Sequence, residues 1–108
     1  MEITNYEGLI LQNEIIDLLK EDVNLRIKYK LTKLLENVSN ELKTFETFRT
    51  QTVNENTING LIDTVAVQNK LEPLAMEKIN INYSISLDDI SAFSSTNVPQ
   101  VLFKFVSE

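Results

Sequence analysis

An α+β domain is the fold class this sequence predicts: an N-terminal antiparallel helical hairpin plus a third helix, packed with a small C-terminal antiparallel β-element. Three observations predict it. Apolar residues from Ile27 to Phe45 recur at helical spacing, the period shortens to two residues from Ile79 to Ile85, and Pro73 stands between the two regimes. At 108 residues, the chain is the size of one domain and long enough to bury about two-thirds of its unfolded surface. We therefore expect a single domain over 1–108, helical over 5–72 and β-rich over 78–106. A content of 43% hydrophobic and 24% charged residues suits a packed fold rather than a disordered chain.

Thr4 or Asn5 is suited to cap the first helix, in which Leu11, Ile15, Leu18 and Leu19 recur after an apolar entry at Leu9 and Ile10. Asp22 and Asn24 interrupt the pattern. The second helix starts near Leu25 and runs for about twenty residues, because steps of about 100° gather Ile27, Leu31, Leu34, Leu35, Val38, Leu42 and Phe45 into one arc. The short break before it predicts an antiparallel pairing with the first helix.

TVNENTING, residues 52–60, is polar and holds one of the two glycines, so it reads as the connection out of the second helix. Ile58, Leu61, Ile62 and Val65 then have the spacing of a third helix. That helix is expected to end before Pro73, which disfavours helical geometry at Glu72. Beyond it, Ile79, Ile81, Tyr83 and Ile85 alternate with Asn80, Asn82 and Ser84, the pattern of a half-buried strand. LDDISAF suits a short helical turn and SSTNVP a loop. VLFKFV, 101–106, is β-prone with Phe103 and Phe105 on one face, although Asn97, Pro99 and Gln100 before it also resemble a helix start.

Composition excludes several chemistries. The chain has no cysteine and no histidine, which removes disulfides, thiol chemistry, Cys/His metal sites and the commonest general base. Asp88-Asp89 is the one candidate for a carboxylate-only metal site, and a helix N-terminus is the plainer use of two adjacent aspartates. A net charge of -6 argues against general nucleic-acid binding. The opening MEITNYEGLI has no basic n-region and no apolar run reaches membrane-spanning length, so neither a signal peptide nor a membrane segment is expected. We expect no cofactor and no enzymatic activity, since carboxylates, serines and tyrosines occur without a base, a Gly-rich phosphate loop or a nucleophile elbow.

The candidate binding residues lie on the second helix. Arg26, Lys28, Lys30 and Lys33 put four cations into eight positions. Arg26, Lys30 and Lys33 project as one polar stripe, which is suited either to an anion or acidic partner or simply to solvating the face opposite the core. Tyr29 lies among them and is available to pack on a neighbouring helix or to stack on a bound base. Arg49 projects into the apolar arc, so either the helix frays and Arg49 reaches water or it pairs with a carboxylate such as Glu46, Asp63 or Glu77.

Taken together, IKYKLTKLLENVSNELKTFETFR, a polar loop, a short helix, the strand KININYSI and a small C-terminal element resemble a family of short uncharacterised tailed-phage proteins. The residues that carry the likeness are Lys28, Tyr29, Lys30 and Lys33, then Glu41, Phe45 and Arg49, then the isoleucine-rich strand. The chain departs from that pattern at Asp22-Val23-Asn24, where the hairpin often carries Leu-Pro, and in a short loop after Arg49. The resemblance implies a viral origin and an α+β fold, and it brings no catalytic residue.

The expected function is that of a small non-enzymatic phage-encoded interaction protein, binding or inhibiting a host or defence protein in the host cytoplasm. A virion or assembly component, such as a tail, neck or capsid accessory protein, is the alternative. A binder of a small anionic ligand such as a nucleotide, held by Arg26, Lys30, Lys33 and Arg49, is a third. The expected partner is a host or phage protein or a second copy in a homo-oligomer, with no membrane involved.

Overall fold

A computed structural model describes residues 1–86 and 101–107. Along them run β1 (Glu2–Thr4), α1 (Asn5–Leu18), α2 (Leu25–Glu55), β2 (Thr57–Ile58), β3 (Leu61–Ile62), α3 (Thr64–Ala75), β4 (Lys78–Asn80), β5 (Ile85–Ser86), a 3-10 helix (Leu102–Phe105) and β6 (Val106–Ser107). The fold is α+β. LDDISAF, SSTNVP, Asp88-Asp89 and the Asn97–Gln100 helix signal lie outside the described residues.

Thr4 caps α1 in a capping box: its hydroxyl accepts from the Glu7 amide at 3.1 Å, and Glu7 Oε1 accepts from the Thr4 amide at 3.2 Å. Asn24 caps α2, accepting from the Ile27 amide at 3.0 Å. Between the two helices Gln12 Nε2 donates to Ser39 Oγ at 3.0 Å. Nearer the start of α1, Gly8 meets Leu42. A Cβ on Gly8 would lie 2.9 Å from Leu42 Cδ2 and 3.1 Å from Ile79 Cδ1, so its missing side chain is what lets α1, α2 and β4 converge.

The core forms there. Leu11, Ile15 and Leu18 of α1 pack with Ile27, Leu31, Leu34, Val38 and Leu42 of α2, joined by Ile3, Ile81, Ile85, Val101, Leu102 and Phe105. The projected arc of α2 is thus its buried face. β1 pairs antiparallel with β4 in the register Glu2↔Asn80, Ile3↔Ile79 and Thr4↔Lys78. The buried amide of Asn5 fastens this end, with Nδ2 donating to the Leu74 carbonyl at 2.8 Å and the backbone amide donating to the Glu77 carbonyl at 2.9 Å.

Several expectations need correction. The second helix runs 31 residues rather than about twenty and continues to Glu55, into the stretch 52–60 expected to be the connection. The Thr and Asn residues that read as a loop bond their own helix instead: Thr52 Oγ1 donates to Phe48 O, Asn56 Nδ2 to Thr52 O and Thr57 Oγ1 to Val53 O. Ile58, Leu61 and Ile62 belong to a β-hairpin, not to the third helix. Its turn residues Asn59 and Gly60 have φ of 54° and 79°, the left-handed pair that a two-residue hairpin turn requires. The third helix starts at Thr64, capped by Asp63, and Pro73 lies inside it rather than after it. The proline's lost hydrogen bond falls in the last turn, where Asn5 ties the chain down from outside.

The expected C-terminal antiparallel element also differs. The antiparallel partner of β4 is the N-terminal strand β1, while β5 and β6 pair in parallel. Most of 101–106 is a 3-10 turn because Glu14 of α1 accepts from the amides of Val101 (2.9 Å) and Leu102 (3.3 Å), and this turn buries Val101, Leu102 and Phe105 together. The alternation over 79–85 holds in burial, with Ile81 and Ile85 fully covered and Asn80, Asn82 and Ser84 exposed. It does not make one strand. The hydrogen-bonded pairing ends at Ile81, whose amide donates to the Met1 carbonyl at 2.9 Å, and the Asn82 amide turns to Asn37 Oδ1 at 3.0 Å.

Candidate functional site

The basic stripe begins one residue past the start of α2. Arg26 and Lys33 are exposed, whereas Lys30 is half-buried. Tyr29 is 63% exposed, so the expected packing against a neighbouring helix does not occur. Its ring instead carries Lys33, whose Nζ stands 5.7 Å from the ring centroid, close enough for a cation–π attraction. No acidic residue occupies the first turn of α2, which is the positive end of the helix macrodipole. Leu25, at the helix start, is 82% exposed.

Arg49 does not join them. Sixteen residues of helix separate it from Lys33, a rise of about 24 Å at about 1.5 Å per residue, and the helical twist turns it to a different face. The helix is intact there, and Arg49 is exposed and pairs with Glu46 at 3.2 Å. A ligand held by Arg26, Lys30 and Lys33 is therefore out of reach of Arg49.

The surface hollows of the described residues include two of similar size. One, of about 420 Å³, is lined by Met1, Ile81, Tyr83, Lys104 and Phe105 among others. The cations at its rim are engaged: the Met1 ammonium donates to the Ile81 carbonyl at 3.0 Å, and Lys104 donates to Glu7. The other, of about 400 Å³, is a groove between Tyr6 of α1 and Leu71, Ala75 and Met76 near the end of α3. Among the described residues no three carboxylates converge as metal ligands, and no helix is long and apolar enough to cross a membrane.

The most unusual surface was not anticipated from the sequence. Core contacts along α2 end at Phe45 and resume at Leu71, and none of residues 46–70, all of them described, is buried. This stretch comprises the last turns of α2, the β2–β3 hairpin and the start of α3, and it forms an arm. It displays Ile58 (74% exposed), Leu61 (77%), Val65 (67%) and Ile62 (49%), with Phe48 exposed at its base. The signal that marks it is Asn59-Gly60 flanked by apolar residues, which places Ile58 opposite Leu61 on one face of the hairpin. No family model, no curated protein and no solved structure matches the chain.

Proposed function

We propose that this chain is a small non-enzymatic phage-encoded interaction protein that contacts a host or phage protein partner through the arm of residues 46–70. The antiparallel helical hairpin of α1 and α2 serves as its rigid base. A single observation carries the reading: a folded stretch of this length in which no residue is buried. Ordering a backbone costs about 1–2 kcal/mol per residue, and apolar burial is the usual compensation. Here the apolar side chains face water, which is the arrangement of a surface that a second molecule covers.

Affinity purification of the tagged protein from infected cells, compared with the Leu61→Asp variant, tests this. The variant alters an exposed side chain, so its melting temperature stays close to that of the wild type while partner recovery falls. Equal recovery by both proteins defeats the proposal. Mass spectrometry of purified virions separates host-cytoplasmic action from the alternative role in the particle: abundant copies in virions favour a tail, neck or capsid accessory protein. Substituting Arg26, Lys30 and Lys33 together with glutamine leaves arm-dependent capture in place. Loss of capture in that folded triple variant transfers the function to the basic stripe and its anionic ligand.

A further inference from the structure

We infer that two copies of this chain associate side by side and antiparallel, the apolar arm of each lying on the basic, aromatic end of the other. The inference rests on the reading of the arm as a contact surface and names its occupant as a second copy. The two ends of α2 are unlike in charge and alike in apolar exposure. Residues 17–33 carry five cations and three carboxylates, whereas residues 46–70 carry three carboxylates and two cations. Cations are engaged at both ends, Arg49 with Glu46 and Lys70 Nζ with Asn56 Oδ1 at 3.2 Å in the arm and Lys20 with Asp17 at the basic end, so the contrast lies in the net charge of the two stretches. The macrodipole of α2 adds positive potential at the basic end and negative potential at the arm, so it reinforces this polarity. Leu25 and Tyr29 supply the apolar surface at one end, and Ile58, Leu61 and Val65 supply it at the other.

Geometry selects the closed arrangement. A helix of 31 residues is about 46 Å long at about 1.5 Å per residue, against a longest molecular extent of 48 Å, so the two ends stand at opposite poles. Head-to-tail contact would leave one apolar pole bare at each end of an open chain. Antiparallel contact covers all four poles and closes on a two-fold axis. Stable interfaces draw about 20–30 residues from each partner, and the arm and the basic end together offer that number.

The test uses the purified chain alone, in light scattering coupled to size exclusion. The expected mass is twice 12.4 kDa at micromolar concentration. Arg26→Glu/Lys33→Glu and, separately, Asn54→Lys/Glu55→Lys each weaken the pair at least about tenfold by setting like charges together, with helicity unchanged by circular dichroism. Mixing the two variants restores a dimer, because the reversed basic end of one now meets the reversed arm of the other. A monomer at high micromolar concentration overturns the inference, as does failure of the mixture to associate. A mass that climbs steadily with concentration overturns the closed pair in favour of an open chain. A monomer that still captures a Leu61-dependent partner would defeat the pair alone, whereas a dimer that captures nothing from infected cells would defeat only the proposed outside partner.

Discussion

Glu7 shows how much one side chain of this protein does. It completes the capping box of α1 and also receives Lys104 from the C-terminal turn, joining residues that are distant in sequence. The Lys104 ammonium, followed by the Thr4 amide, holds its carboxyl below the ordinary glutamate range. A depressed folded value means that the stabilisation is present above the unfolded value, near pH 4–5, and is lost as pH falls through the folded one. Glu7→Gln keeps an acceptor for the cap but loses the charge. We expect it to cost up to about 1 kcal/mol at pH 7, because Lys104 is partly exposed, and the gap to wild type to close as urea melts are repeated toward pH 3. A gap independent of pH would assign the effect to packing. Asn5 acts on the same scale: its side chain holds the turn that contains Pro73, and its Oδ1 is buried without a protein partner.

At the scale of elements, α2 organises the molecule. Its buried residues Ile27, Leu31, Leu34, Val38, Leu42 and Phe45 keep one face toward the core for five turns, after which the same helix continues in solvent. Val38 is fully buried at the centre of that face. Val38→Asp places a carboxylate there with no cation prepared for it, at a cost of several kcal/mol, about the whole stability of a small domain. Thermal melting followed by circular dichroism should show the variant unfolded or lacking a cooperative transition. An unchanged melt would mean that the face is not the core. The β2–β3 hairpin contrasts with this face, since its ladder is short: two residue pairs, a left-handed Asn-Gly turn and, at its open end, the Asp63 amide donating to the Asn56 carbonyl at 2.9 Å.

The whole molecule is elongated, 48 × 26 × 20 Å, with a radius of gyration of 16.0 Å against about 13 Å for a compact chain of this length. The excess comes from a long helix that outruns its core. Stability is therefore uneven along α2: amides near Val38 open only with the whole fold, while those of 46–55 and the hairpin open locally. Hydrogen exchange of the isolated protein at low concentration should show faster exchange over 46–66 than over 27–45, and occupation of the arm should slow it. Uniform protection of both stretches in a monomer would show that the arm needs no partner.

Sequence alone determined the α+β class, the start of each long helix and the inward face of α2, because capping and a 3.6-residue period are local signals that one core selects. It also determined which residues of 79–85 turn inward, since alternation survives even where the ladder breaks. Tertiary structure decided the rest. β4 takes β1 as its partner because the convergence at Gly8 brings the chain's first strand to it, and the composition of β4 does not specify that choice. Residues 102–105 coil rather than extend because Glu14, far away in sequence, accepts the amides of Val101 and Leu102. Helix α3 keeps Pro73 because Asn5 supports its last turn. The exposure of the arm was hidden for the same reason: Ile58, Leu61 and Val65 are as apolar as core residues, and only the three-dimensional course of the chain leaves them, among the described residues, without a second surface to cover them.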